Sequence, residues 1–375
     1  MQSQTLNAPR PVRANVPSAA PVLQSLCHRP NECFDDVGKR RHSAHNDETK
    51  IALQVVPLST LRQAALLAPC LVAACANIGL NASHPGATPD PSWFGAQRRI
   101  ELQLDDGALA IAREQSSAEL RAWVARAAGA IRAYYGRFPL QHARITVERV
   151  HGSGVQWART FASSIAHVRI GVGRETTFEQ FESDWILTHE FVHLALPQLA
   201  DQHDWLQEGA ATYVEPIARA RAGQLSAERV WAKFVLQMPN GLPGAKDRGL
   251  DYTSTWARTY WGGALFCLVA DVEMRKRTDN RFGLQDALRA IVEDGGTVDH
   301  RWQIRKALRS GDRATGVDVL SKLYEHWRET PMQVDLESLW RDLGVARDGH
   351  RTSLNNEAPL AAIRRAITEQ QILKQ

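Results

Sequence analysis

Two histidines spaced four residues apart, with a glutamate beside the first, form the part of the chain best suited to chemistry. His189 and His193 stand at positions i and i+4, so on a helix their imidazoles lie on one face and can bind one tetrahedral metal ion. Glu190 could then accept a proton from a water molecule activated by that metal. The segments ESDWIL before and LAL after supply an apolar face, and Pro197 ends the predicted helix.

A metal site of this type needs a third protein ligand, and the sequence around the histidines leaves several candidates. A third histidine six residues after His193 is excluded because Leu199 stands there, and the spacing of His203 is also wrong. The remaining candidates are the carboxylates that follow along the chain, namely Asp201, Asp204, Glu208 and Glu215.

The longer pattern HEFVH…WLQEGAATYVE resembles the gluzincin zinc metallopeptidases, which include the peptidase MA-like group and the related aminopeptidase N-like and glycyl-aminopeptidase-like families. In that pattern HExxH is followed by a helix opening W-[LF]-x-E-G-x-x-x-Y, whose glutamate is the third zinc ligand. Glu208 matches this glutamate, and Trp205, Gly209 and Tyr213 match its neighbours. The resemblance implies one Zn²⁺ held by His189, His193 and Glu208.

A second stretch, TYWGGALFCLVADV, resembles a helix of the same families in which a tyrosine hydroxyl hydrogen-bonds the oxyanion of the reaction. Tyr260 matches that tyrosine, and Gly263 matches the glycine three residues later. The alternative is that Tyr260 belongs to an aromatic cluster with Trp256 and Trp261. The resemblance covers roughly residues 100–345.

The chain also departs from the aminopeptidase N-like pattern at two places. It lacks the G-x-M-E-N motif whose glutamate binds the amino terminus of a substrate, so the choice between endopeptidase and aminopeptidase activity stays open. Thr212 stands where those enzymes often keep an acid that orients a zinc-ligating histidine. Asp184 and Glu215 are the candidates for that orienting role.

The segment LRQAALLAPCLVAAC, residues 61–75, resembles a bacterial lipoprotein signal, because a basic residue precedes a short apolar run that ends in small residues and a cysteine. This resemblance implies lipidation of Cys75 and a lipid-anchored protein of the bacterial cell envelope, facing the periplasm or the outside. Residues 1–60 are expected to be disordered or to precede the true start, and residues 76–95 to form a tether. The alternative for residues 61–75 is a short buried helix.

Charge and cysteine usage exclude two other classes of protein. Of the 45 Lys/Arg and 41 Asp/Glu residues, eight and five lie in residues 1–75, which leaves 37 and 36 in the rest. Because the main part is nearly neutral, no basic stripe for nucleic acid is expected. Five cysteines, of which Cys267 lies in an apolar run, do not provide a disulfide framework or a four-cysteine zinc site.

The hydrophobic pattern predicts an α+β fold, with a small N-terminal sheet and helices followed by a mostly helical, zincin-like catalytic region and a helical C-terminal part. We expect a catalytic domain over residues 96–345 and a C-terminal extension over 346–375. The predicted strands are 143–150 and 165–173. The predicted helices are 116–138, 177–197, 206–222, 226–237, 254–276, 283–293, 299–309, 315–328 and 335–343.

These features predict zinc-dependent hydrolysis of peptide bonds in envelope or extracellular peptides or proteins. In this interpretation Glu190 is the general base and Tyr260 stabilises the oxyanion. One alternative is a catalytically inactive, peptidase-like lipoprotein that acts as a binding scaffold. Another is a helical domain of unrelated function in which HExxH occurs by chance. The partners expected are a peptide or protein substrate and, through Cys75, a membrane.

Overall fold

A computed structural model describes residues 99–104, 117–163, 165–349 and 351–369, which all belong to one compact unit. The predicted lipoprotein-type signal with Cys75, the tether and the first 60 residues lie outside this part of the chain. Within the described residues, no helix combines the length and the apolar character that a membrane crossing needs.

A four-stranded sheet comes first, with the strand order β1-β2-β4-β3. The first three strands in that order are parallel, and β3 is an antiparallel edge strand paired with β4. The sequence predicted β2 and β4 but missed β1 and β3. In β3 the more buried positions carry Val155, Ala158 and Thr160, while Trp157 and Phe161 are exposed, so the hydrophobic alternation is weak. The four strands are β1 (Arg99–Leu104), β2 (His142–Val150), β3 (Val155–Phe161) and β4 (Ala166–Gly173).

Helix α1 (Ser117–Tyr135) packs against helices that follow the sheet in the chain. Leu120, Ile131 and Tyr134 are fully buried on its predicted apolar face, and Trp123 is nearly so. In the described part of the chain, ten α-helices follow the sheet: α2 (Phe178–Ser183), α3 (Ile186–His193), α4 (Asp204–Arg221), α5 (Ala227–Gln237), α6 (Gly263–Arg277), α7 (Leu284–Glu293), α8 (Ile304–Thr315), α9 (Val319–Trp327), α10 (Leu336–Leu343) and α11 (Ala361–Thr368). The predicted α+β class, with a small sheet followed by a helical region, is therefore confirmed.

The single helix predicted over residues 177–197 is wrong, because the chain forms two helices there. Asp184 has an extended ψ of 135° and ends α2. Its carboxylate then accepts hydrogen bonds from the backbone N–H groups of Ile186, at 3.0 Å, and Leu187, at 3.2 Å. Asp184 thus starts α3 by satisfying the free N–H groups of the first turn.

The residues after 345, predicted as an extension, pack onto α4. They form a hairpin of β5 (Val345–Asp348) and β6 (Arg351–Leu354), followed by α11. The buried Arg221 of α4 donates hydrogen bonds to the carbonyl oxygens of Ala366 and Ile367, each at 2.9 Å. These bonds tie the C-terminal helix to the helix that carries Glu208.

Helices α4 and α6 touch through their backbones at two glycines. A Cβ atom on Gly209 would lie 2.3 Å from the Cα of Gly263, and a Cβ on Gly263 would lie 1.8 Å from the carbonyl oxygen of Trp205. Both distances are far below any real carbon contact, so only glycine fits at either position. This contact brings the helix of Glu208 against the segment that carries Tyr260.

Replacing Gly209 by alanine is expected to lower the free energy of unfolding by about 3 kcal/mol, because the added methyl group forces the two helices apart. The measurement is urea unfolding followed by circular dichroism. Gly244→Ala is the matched control, since a Cβ there meets no atom within 4 Å. Equal unfolding midpoints for Gly209→Ala and the unchanged protein would contradict the close helix contact.

Candidate metal centre

Two histidines from α3 and one glutamate from α4 converge on a single point. The Nε2 atoms of His189 and His193 lie 3.1 Å and 3.6 Å from the same oxygen, Oε2 of Glu208. Among the described residues this is the one group of three such side chains close enough to share a metal, with its donor atoms all within 4.8 Å of one another. A tetrahedral zinc ion with bonds of about 2.0–2.2 Å separates its ligands by about 3.3–3.5 Å. The donor set therefore fits zinc in both chemistry and spacing.

The charges at this point also suit a cation. Burial opposes ionisation of Glu208, but the two histidines overcome it and hold the pKa of its carboxyl well below the usual range. Burial alone would lower the pKa of His193, whereas the negative charges of Glu208 and then Glu190 raise it to about 9. Two carboxylates thus create a negative potential where the imidazole nitrogens meet.

Helix α3 is fixed at its start by a tryptophan and in its middle by an aromatic contact. The indole N–H of Trp123 in α1 donates to the Asp184 carboxylate at 2.9 Å, and this carboxylate also caps α3. Phe191 is fully buried, with its ring edge against Phe138 at 5.4 Å between centroids. Because Phe191 lies between the two histidines in sequence, its burial turns both imidazoles toward the opposite side.

The start of α4 is held by Asp251, a residue that the sequence did not single out. One carboxylate oxygen of Asp251 lies 2.9 Å from the indole nitrogen of Trp205 and 3.0 Å from Nδ1 of His203. The other accepts a hydrogen bond from the Tyr324 hydroxyl at 3.0 Å. His203, already excluded as a ligand by its spacing, thus serves to place the first turn of α4, from which Glu208 projects.

The side chains predicted to orient a histidine have other partners. Asp184 binds Trp123 and the N-terminus of α3. Glu215 is buried two turns beyond Glu208 and pairs with Arg219 at 3.0 Å and Lys233 at 2.8 Å. Both carboxylates are thus held by other donors, and the orienting role stays a prediction for each of them. Thr212 is buried one turn after Glu208, and its role stays a prediction.

Glu190 is buried and held by Thr160 of the edge strand β3. The Thr160 hydroxyl lies 2.7 Å from Oε2 of Glu190 and 3.1 Å from its backbone carbonyl oxygen. Sequence reasoning missed Thr160 because it missed β3, and a lone threonine in a polar segment carries no recognisable signal.

Tyr260 lies beside the metal-binding histidines in a row of aromatic rings. Its ring stacks on His189 with 6.3 Å between centroids and 18° between planes, and Trp256 stacks on its other side at 5.6 Å. Trp185 meets His189 edge-on at 5.8 Å. The two alternatives for Tyr260 are therefore compatible, because it belongs to an aromatic cluster with Trp256 and also adjoins the metal centre. Trp261 is instead buried in the core.

The segment that presents Tyr260 is a π-helical turn over Arg258–Gly262. Such wide turns are frequent at functional sites, because they redirect one side chain without ending the helix. Arg258 is buried and anchors this turn through an ion pair with Asp247 at 2.6 Å and a hydrogen bond to the carbonyl oxygen of Gly241. The turn leads directly into Gly263 and the contact with α4.

Comparisons with known proteins find similarity to solved structures, but not to family models or curated proteins. No protein-family model matches the sequence. No curated protein matches it either. An aminopeptidase N family protein from Idiomarina loihiensis matches with a TM-score of 0.48 and 15% identity, over 67% of this chain and 48% of that one. An M1 zinc metallopeptidase from Deinococcus radiodurans matches with a TM-score of 0.43 and 17% identity, over 65% and 51%.

Aminopeptidase A from Legionella pneumophila, in complex with aspartic acid, matches with a TM-score of 0.40 and 13% identity, over 62% of this chain and 26% of that one. The chain spans about half the length of these structures, or less. At this low similarity the case for a metal centre rests on the side chains themselves.

Proposed function

We propose that this chain is a zinc-dependent peptidase that hydrolyses peptide bonds with Glu190 as general base. The observation that carries the proposal is the convergence of three donor atoms within 4.8 Å of one another, with a buried carboxylate one residue away from the first of them. When bound, zinc would act as a Lewis acid that polarises the substrate carbonyl and lowers the pKa of a water molecule. His189, His193 and Glu208 would hold it.

Glu190 would take a proton from the attacking water and return it to the leaving amine. Thr160 donates to Oε2 of Glu190, and this hydrogen bond fixes the plane of the carboxylate. The proton would therefore be taken at Oε1. Because Thr160 bonds to both the side chain and the backbone of Glu190, it couples the position of the base to the edge strand.

Tyr260 would donate a hydrogen bond from its hydroxyl to the oxygen that becomes negative during the reaction. Stacking on His189 keeps its ring next to the metal centre, and the buried Arg258 holds the turn that carries it. A donor fixed in advance stabilises developing charge without reorganisation.

The edge strand β3 is the surface best placed to bind the backbone of a peptide. Among the described strands it pairs with β4 alone, which leaves its other edge open for an added strand. Helix α3 packs against this strand, and Thr160 connects the two. A peptide lying along β3 would run past Glu190.

The natural substrates, in this proposal, are peptides or proteins of the bacterial envelope or the extracellular space, and a lipid on Cys75 holds the enzyme at the membrane. This part rests on the sequence of residues 61–75, outside the described part of the chain.

Changing Glu190 to Gln is expected to lower kcat/KM on peptides by about 10²–10⁴-fold, because an amide cannot accept the proton. Zinc content should stay at about one ion per chain. The measurement combines elemental analysis with cleavage of fluorescence-quenched peptides, and Glu228→Gln on the surface of α5 is the control. Unchanged turnover in the Glu190 variant would contradict its role as general base.

Changing Thr160 to Val should lower kcat/KM about tenfold, since it removes a hydrogen bond to a charged carboxylate. Thr160→Ser keeps the hydroxyl and should retain most of the activity. The same peptides and zinc analysis provide the test. If Val and Ser variants cleave equally well, the hydroxyl does not position Glu190.

A further inference from the structure

A cavity elsewhere in the helical region shares Trp185 with the surroundings of the metal centre. It has a volume of about 520 Å³ and is lined by residues of α1, α2, α4 and α5 together with Trp185. None of the three proposed metal ligands lines it. The Trp185 ring nevertheless contacts both regions, since it packs edge-on against His189 and also carries the Lys233 ammonium over its face at 5.3 Å. The Trp185 side chain would therefore lie between a group bound in this cavity and the metal centre.

The inner wall of the cavity has more positive than negative charge. Arg219 and Lys233 both pair with the single carboxylate of Glu215, which leaves one positive charge without a matching negative one. Glu215 and Arg219 are buried, whereas Lys233 is 35% exposed and can reach a ligand. A buried excess charge is costly unless a counter-charge accompanies it.

Arg219 also has an unused hydrogen-bond donor. Its two terminal nitrogens donate to Glu215 at 3.0 Å and to the carbonyl oxygen of Ser183 at 3.3 Å. Its Nε–H group, which is buried, finds no hydrogen-bond partner among the described residues. A buried donor without an acceptor costs free energy, and this one adds to the excess of positive charge beside the cavity.

The other charged residues that line the cavity do not make it favourable for a cationic ligand. Glu182 lies 3.7 Å from Arg126, which offsets its charge. Glu179 is exposed at the first turn of α2, and Arg229 adds a further positive charge to the lining. The deeper part of the cavity therefore favours an anion.

We propose that this cavity is a substrate subsite for a carboxylate, which is either an acidic side chain next to the scissile bond or the free C-terminus of a short peptide. Lys233 binds the carboxylate, the buried Arg219 adds its positive charge behind it, and Trp185 separates the carboxylate from the metal centre. The proposal rests on the proposed peptidase function and specifies its substrate class.

The test begins with the zinc-loaded, full-length protein and a peptide library, with cleavage sites mapped by mass spectrometry. Matched peptides then compare carboxylate with amide: Asp with Asn, Glu with Gln, and a free with an amidated C-terminus. We expect kcat/KM to be about tenfold higher or more for the carboxylate form of one of these pairs, and that pair identifies the source of the carboxylate. In Lys233→Gln the difference should fall below about threefold.

Lys276→Gln, an exposed lysine outside the cavity, is the control and should keep the full preference. Equal rates for carboxylate and amide peptides, or a preference that Lys233→Gln leaves unchanged, would overturn the subsite.

A second measurement separates failure of the subsite from failure of the peptidase proposal. The same peptides are titrated by calorimetry into Glu190→Gln protein, with and without Lys233→Gln. If the unchanged protein cleaves no peptide, the peptidase proposal fails, and binding alone then decides the subsite. Tighter binding of the carboxylate form that is lost with Lys233→Gln supports the subsite, and equal binding of carboxylate and amide forms overturns it.

Discussion

The contact between Gly209 and Gly263 determines where the chemistry of this protein can take place. With no side chain at either position, the backbones of α4 and α6 meet directly. Glu208 precedes the first glycine by one residue, and Tyr260 precedes the second by three. The same contact therefore places a carboxylate from one helix and a phenol from the other beside the histidines of α3. Larger residues would separate these groups by several ångströms.

Helix α4 carries two buried or partly buried carboxylates with different environments. Glu215 faces Arg219 and Lys233, which are permanent cations and neutralise it. Glu208 faces two imidazoles, which can lose a proton and bind a metal with the same nitrogens. Negative charge near an imidazole pair attracts a divalent cation, whereas an arginine and a lysine repel one. The partners, more than the carboxylates themselves, distinguish a structural ion pair from a metal site.

The sequence indicated the candidate metal ligands, but it did not indicate the side chains that support them. The i, i+4 spacing of His189 and His193 requires only a helix, and a helix is what the hydrophobic pattern indicated. The choice between Glu208 and Glu215 was open on spacing alone, and only the resemblance favoured Glu208. The partners of Glu208 come from α3, and Glu215 pairs with Lys233 of α5 in addition to Arg219 on its own helix. Sequence spacing cannot reveal the contacts between helices.

Other parts of the site could not be predicted for a similar reason. Thr160 acts from a strand whose inward positions are small or polar, so the pattern of β3 is weak. Asp251 lies 46 residues from Trp205 in sequence, and its role exists only after the chain has folded. The sequence predicted one long helix, but the chain breaks at Asp184. This aspartate ends one helix and caps the next with its carboxylate. For Thr160 and Asp251 the signal is a tertiary contact, whereas the cap made by Asp184 is local to the chain.

The central claim is that His189, His193 and Glu208 together bind zinc. Its most direct test is elemental analysis of the purified protein and of Glu208→Ala after equilibration with zinc and removal of unbound metal. The account predicts about one zinc ion per chain for the unchanged protein and much less for the variant, because two imidazoles alone hold zinc weakly. No zinc in the unchanged protein would contradict a metal centre, and equal zinc in both would contradict Glu208 as its third ligand.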